Sequence, residues 1–283
     1  MRIGIHHEIR FGFDAPVKSL VQSLRLTPRN HEGQHIASWR MDVDADCRLK
    51  ASEDAFGNLT HVLNCDGPID SLTVLVAGEV ETFDTAGVLR GTVERFPPEL
   101  FLRETPVTAA DAAVRAFADD AAAALLDPLD QMHALLARLH HRVALASSPP
   151  EDPMPGQDVL WGPHGTAVGL AHLFIAAARH LAVPARFVAG YVPTAEGESG
   201  EPDAPGQTLV LPAHAWAEVY IGRLGWVGFD PATGLCPQET YVRIAAGLDH
   251  LGAAPIRIAQ HGAAADTVET RIRVTSSEPQ VQL

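Results

Sequence analysis

Cysteine is scarce in this chain. Cys47, Cys65 and Cys236 are the only three in 283 residues, with no Cys-x-x-Cys spacing. An odd, scattered set argues against both a disulfide framework and a cysteine-rich zinc site, so each is expected to pack as a small side chain. Basic residues are outnumbered, 21 Lys and Arg against 35 Asp and Glu, for a net charge of −14. No basic cluster stands against that background to neutralise phosphates, so no nucleic-acid partner is expected. Long apolar runs are missing too. The stretch Leu170 to Tyr191 is broken by His172, Arg179, His180 and Arg186, short of the roughly 18 uninterrupted residues of a membrane span. Met1 to Arg10 lacks the apolar segment and cleavage site of a signal peptide. A cytoplasmic protein without a membrane partner is the expectation.

What remains is ordinary globular composition, 46% apolar and 20% charged with a mean hydropathy of +0.03. The length is a prior for two domains at about 150 residues each. Through the first 85 residues, short alternating runs such as Ile3, Ile5, His7 and Leu72, Val74, Val76 are separated by the turn signals Phe56-Gly57-Asn58 and Asp66-Gly67-Pro68. Residues 1–90 therefore read as an all-β domain, a sandwich. Residues 91–150 read as a helical connector. Thr108 and Asp111 form a capping signature before an Ala-rich helix to about Asp120, and a second helix runs from Pro128 to about Ala146. Ser147 to Gly156 is a Pro-rich loop.

Residues 151–283 form the third segment. Thr166 is expected to cap a helix with Leu170, Leu173, Phe174, Ala177 and Leu181 on one face, ending at Val183 before Pro184. Strands are expected at Arg186 to Val192, Ala213 to Ile221, Trp226 to Asp230, Thr240 to Ile244 and Thr267 to Val274, with an exposed loop from Pro193 to Gln207. A helix followed by an antiparallel sheet is an α+β layout.

His214-Ala-Trp-Ala-Glu-Val-Tyr220 and Gly225-Trp-Val-Gly-Phe-Asp-Pro231 put His214 and Asp230 on adjacent strands of one hairpin. An Asp that accepts the Nδ1 proton of a His fixes its tautomer and frees the other nitrogen to act as a base. The same pair also suits a structural role, a buried His satisfied by a carboxylate.

With these motifs the sequence resembles the transglutaminase-like superfamily, specifically the bacterial transglutaminase-like cysteine proteases. The resemblance takes in Ala171-His172-Leu173-Phe174-Ile175-Ala176, Val183 to Tyr191, both hairpin strands and Tyr241 to Ala245. In the first domain it takes in Leu24 to Arg29 and Asp54 to Asn58. It implies a papain-like core of helices on an antiparallel sheet behind an N-terminal β-sandwich. It also implies a nucleophilic Cys at a helix N-terminus, within a Gly-x-Cys-Gln-Asp-Phe-Ala-His pattern. Here the matching stretch is Gly165-Thr166-Ala167-Val168-Gly169-Leu170-Ala171-His172, and Ala167 stands at the Cys position. Val168 and Gly169 depart from the pattern as well, which a single inactivating change would not explain.

Three functions follow as expectations. One is a pseudoenzyme that keeps His214 and Asp230 and binds a peptide or a protein partner, with assembly into homo-oligomers or with an active relative. Another is an amide hydrolase or acyltransferase in which His214 and Asp230 serve another nucleophile, such as Thr166, Ser147, Ser148 or Cys236, or activate water. The weakest is a metal-dependent hydrolase at His164, His214 and Asp230, although no His-Glu-x-x-His motif occurs. No cofactor and no resident metal are expected.

Overall fold

The structure is a computed structural model, described for residues 1–146, 155–162, 164–193, 198–199, 202–203, 209–210, 213–261 and 267–277. The chain opens with β1 (Arg2–Thr27), β2 (Gln34–Val43), β3 (Cys47–Glu53) and β4 (Leu59–Thr82). In the first half of β1 the odd-numbered Ile3, Ile5, His7, Ile9 and Phe11 are buried, as a period of two requires of a strand with one dry face. Register shifts between Gly12 and Ser19 then move the buried set to even positions, Leu20, Gln22, Leu24 and Leu26. Such bulges bend a strand, and residues of both halves pack into one core with Leu63, Cys65, Leu72 and Val74 of β4.

The expected turn at Asp66-Gly67-Pro68 is instead an irregularity inside the continuous β4. Glycine is needed there because a Cβ would lie 2.1 Å from the Val17 carbonyl oxygen. The Phe56-Gly57-Asn58 turn is present, with Gly57 at φ +82°.

A two-residue strand, β5 (Val88–Leu89), leads to a 3-10 turn at Pro98–Leu102 and then to α1 (Ala112–Ala122) and α2 (Pro128–Arg142). Asp111 caps α1, its carboxylate accepting the Val114 N–H at 2.8 Å. Thr108 does not share in the cap. It is buried, and its hydroxyl accepts Arg179 Nη1–H at 2.6 Å. Helix α2 ends four residues earlier than expected, because Val143 turns extended and β6 (Ala144–Leu145) pairs with β7 (His164–Gly165). Between them lies α3 (Gly156–Trp161), which the Pro-rich sequence did not announce.

Thr166 caps α4 (Ala167–His180) as expected, its hydroxyl accepting the Gly169 N–H at 3.1 Å. The chain leaves α4 through Ala182 at φ +58° and enters β8 (Ala185–Tyr191). Three short strands, β9 (Glu198–Ser199), β10 (Pro202–Asp203) and β11 (Leu209–Val210), follow. They lie within or beside the expected 193–207 loop, most of which is outside the described residues. Next come β12 (His214–Ile221), β13 (Gly225–Phe229), β14 (Val242–Gly247), α5 (His250–Ala253), β15 (Ile256–His261) and β16 (Thr267–Ser277).

The core sheet has the order β14-β8-β12-β13-β5, antiparallel throughout. Helix α4 is buried from Val168 to Arg179, between β8 and β12 on one side and α1, α2 and α3 on the other. This is the expected α+β architecture of helices on an antiparallel sheet. One strand sits elsewhere than its sequence position suggests. Thr267 to Val274 belongs to β16, which pairs with the first half of β1, not with the core sheet; β15 pairs with the second half. The alternation on β16 fits the β1 surface, where Val268, Ile272 and Val274 are buried. The first sheet thus draws strands from both ends of the chain. No described helix is long and apolar enough to cross a membrane.

Side-chain amides stitch the N-terminal region to β14, an edge strand of the core sheet. Gln34 accepts the Arg243 N–H at 2.8 Å and donates to the Arg243 carbonyl at 3.0 Å. Asn58 does the same at Ala246, both bonds 2.8 Å. Each amide stands in for a neighbouring strand, satisfying backbone groups that burial would otherwise orphan. Asp54 holds Asn58 in place by accepting its backbone N–H and its side-chain N–H, both at 3.0 Å.

Deeper in the seam, His7 meets the Tyr191 hydroxyl at 2.7 Å. Burial, with a small push from His6, holds His7 down at about 3. Its folded value lies below the ordinary 6.5, so the unfolded chain takes up the proton first as pH falls. Stability is therefore expected to decline from pH 6.5 toward about 3, by up to about 1.4 kcal/mol per pH unit from this one residue. Urea unfolding at several pH values should show the decline, and His7→Gln should make it shallower; equal slopes would refute the assignment.

Candidate functional site

Strand β12 sorts its side chains by parity. Ala215, Ala217 and Val219 join the core cluster that contains α4, while His214, Trp216, Glu218 and Tyr220 occupy the opposite face. On β13, Phe229 stacks on Phe174 of α4 at 5.5 Å, so the next residue, Asp230, faces the other way. Ala217 pairs with Phe229, which makes Asp230 a diagonal neighbour of His214 on a shared face.

His214 Nε2 lies 2.7 Å from Asp230 Oδ2. The expected bond through Nδ1 is corrected: the diagonal offset is spanned by the far nitrogen of the ring. Nε2 donates to the carboxylate, and Nδ1 is the nitrogen left to accept a proton. Asp230 is fully buried, whereas the His214 side chain is 16% exposed.

Three donors converge on the Asp230 carboxylate. Besides His214, the Tyr241 hydroxyl donates to Oδ2 at 2.8 Å and the Ala232 N–H donates to Oδ1 at 2.9 Å. Burial alone would raise this carboxyl. The hydrogen bond and charge of His214, then the bonds from Tyr241 and Ala232, outweigh it and hold the group below the usual range. Tyr241 enters the sequence reading only as the start of the Tyr241 to Ala245 stretch, since nothing in its spacing ties it to Asp230. Its ring stands edge-on to Trp216 at 5.4 Å, and Trp216 in turn lies over Gly190, where a Cβ would come within 2.5 Å of the indole.

Ala167 is the first residue of α4 and half-buried. Helix α4 and β8 run antiparallel through a tight connection, and His214 pairs with Gly190 near the end of β8. The start of α4 and the start of β12 therefore lie at the same end of the layered core.

The other candidates are placed apart from this chemistry. His164 is exposed on β7, and among the described residues no group of three His, Cys, Asp or Glu side chains could hold a metal ion. The His164, His214 and Asp230 metal set is thus not assembled. Thr166 is engaged as a cap. Cys236 is half-buried, and burial pushes its thiol up, away from the reactive thiolate. Cys47 and Cys65 face each other on β3 and β4, with Cys65 pushed up to about 12 by burial and by Cys47. His172 is buried, 3.2 Å from His250 Nδ1 and against Phe187. Ser147 and Ser148 lie outside the described residues.

Farther along the same sheet face, Glu218 is held between two guanidinium groups. Arg186 Nε donates at 2.6 Å and Arg243 Nε at 2.8 Å, while Arg186 Nη1 also reaches Glu94 at 2.8 Å. Arg186 lies 3.9 Å over the Trp226 ring. Burial would raise the Glu218 carboxyl, but the charges of Arg243 and Arg186 and their hydrogen bonds hold it at about 2.

Known proteins match both regions of this chain. Residues 3–81 match the bacterial transglutaminase-like N-terminal region, and residues 115–231 match the transglutaminase-like superfamily. An uncharacterised protein of Mycobacterium leprae is 24% identical over 288 residues, covering 97% of this chain and 98% of that one. An uncharacterised Mycobacterium tuberculosis protein is 24% identical over 277 residues, covering 90% and 86%. A stretch of 141 residues is 32% identical to the protein-glutamine gamma-glutamyltransferase of Pseudomonas aeruginosa, spanning 48% of this chain and 20% of that enzyme. The crystal structure of a candidate cysteine protease from Cytophaga hutchinsonii superimposes with a TM-score of 0.69 at 20% identity, over 100% of this chain and 92% of that one. At that identity the likeness is one of fold.

Removing the charge of Glu218 takes the carboxylate from buried Arg243 and leaves Arg186 with Glu94 alone. Glu218→Gln should destabilise the protein by about 3–5 kcal/mol in urea unfolding; a loss below about 1 kcal/mol, the scale of an exposed pair, would contradict the buried-pair assignment.

Proposed function

Because this chain belongs to the transglutaminase-like superfamily, we propose that it is a pseudoenzyme, one that binds a peptide or a partner protein in the family's cleft without acyl transfer. The carrying observation is Ala167 at the first position of α4, with the His214–Asp230 pair intact at the same end of the core. A thiol at a helix N-terminus beside a histidine is driven toward the nucleophilic thiolate. A methyl group has no lone pair to offer, so the pair has nothing at that position to deprotonate. The bound segment would be a polypeptide, and an active relative or a second copy of this chain is a natural source of it. We place this activity in the cytoplasm.

A second reading has its own support. His214 keeps Nδ1 outside the carboxylate bond and remains partly exposed, which suits a base acting on water or on another nucleophile. The two readings part in one assay of amide hydrolysis and amine transfer over glutamine-containing and generic peptides. Wild type should be silent, and Ala167→Cys should gain turnover that His214→Ala removes when added to it. Turnover by wild type that disappears in His214→Ala and in Asp230→Asn would replace the pseudoenzyme with relocated chemistry.

A further inference from the structure

We propose that Tyr241 is a positioning residue for the His214–Asp230 pair, and that by sharing the carboxylate oxygen His214 uses it sets how readily His214 holds a proton. The inference concerns the pair itself and stands whether or not a nucleophile occupies position 167.

The geometry carries it. Asp230 Oδ2 receives both the His214 Nε2 proton, at 2.7 Å, and the Tyr241 hydroxyl proton, at 2.8 Å, while Oδ1 is taken by the Ala232 N–H. A carboxylate oxygen that serves two donors offers less to each than one that serves a single donor. The hydroxyl of Thr233 sits 3.2 Å from the Tyr241 oxygen and 3.4 Å from the Asp230 carbonyl; with the phenol proton committed to Asp230, its one proton is shared between the two and the share that reaches the phenol strengthens it as a donor. Burial, then the Asp230 charge, pushes the phenol upward, so Tyr241 stays protonated and keeps donating to Asp230.

Packing alone does not account for the hydroxyl. The edge-on contacts of the Tyr241 ring with Trp216 at 5.4 Å and with His214 at 6.0 Å would be met equally by phenylalanine. Its location is fixed from outside the pair: β14 begins at the next residue, and Gln34 of the N-terminal region holds Arg243. Tyr241 is thus where the seam between the two sheets reaches the histidine.

The other titratable and charged groups near the pair, among the described residues, are few. Cys236 follows β13 and stays a neutral thiol; His140 of α2 has Nδ1 3.4 Å from the Pro231 carbonyl; Glu218 of β12 and Arg243 of β14 are bonded to each other; and His31, which shares a cavity with Tyr241 and Trp216, is held down at about 4 by burial and then Arg243, against the pull of Glu218. Neighbouring β8 presents Gly190 opposite His214.

Removing the Tyr241 hydroxyl leaves Oδ2 to His214 alone, which favours the imidazolium. The test is an NMR pH titration of the His214 ring, assigned with His214→Ala, in wild type, Tyr241→Phe and Thr233→Val. Tyr241→Phe should raise the His214 midpoint by about one pH unit, the scale of one charge-assisted hydrogen bond. Thr233→Val should move it the same way by less, and it decides the matter if Tyr241→Phe fails to fold. A folded Tyr241→Phe whose midpoint is unchanged or lower would overturn the proposal; so, if that variant does not fold, would a folded Thr233→Val with no upward shift.

Discussion

A carboxylate sealed from water must be met by donors, and Asp230 has no exposure at all. Much of the site follows from that one requirement. His214, Tyr241 and Ala232 answer it from a neighbouring strand, from the segment before β14 and from the turn after β13. Each donor must therefore be delivered by a different part of the fold. The pairing of β12 with β8 sets His214, and the hold of Gln34 on β14 sets Tyr241. Losing any one donor would leave buried charge without its full complement, which costs far more than an exposed contact.

Glu218 repeats the rule at a second point on the same face, answered by Arg186 and Arg243. Arg243 belongs to both systems, since its backbone is bonded to Gln34 while its side chain neutralises Glu218. The back of the core sheet thus carries its buried charges beside a small apolar cluster of Val188, Trp216 and Ala246 and is tied into the N-terminal region, while its front is an apolar layer against α4. Alternation along β12, alanine and valine one way and His, Trp and Glu the other, separates the two.

Much of this is legible in the sequence, and what is not has physical causes. Strands with one dry face and helices with side-chain caps announce themselves locally, which is why Ile3 to Phe11, the Thr166 cap and the β12–β13 hairpin can be read directly. Pairing between distant segments leaves no local trace: β16 alternates equally well whichever sheet receives it, and only the β1 surface decides. Asp66-Gly67-Pro68 carries turn chemistry because a backbone passes close by, and proximity of that kind resembles a turn in composition. At the site, His214 and Asp230 stand out because their motifs are adjacent in the hairpin. Tyr241 and the Glu218 cluster do not, because their partners lie on other strands, and the choice of Nε2 over Nδ1 depends on a diagonal offset that only the register supplies.

What we propose is that the His214–Asp230 pair is kept while no nucleophile stands at position 167. The most direct test of this is intact-mass analysis after incubation with a thiol-directed peptide vinyl sulfone, for wild type, His214→Ala, Ala167→Cys and the double variant that adds His214→Ala to Ala167→Cys. The expected result is no His214-dependent adduct on wild type and a single adduct on Ala167→Cys, located at residue 167 and much reduced in the double variant. An adduct on wild type that His214→Ala abolishes would show that a nucleophile is present after all.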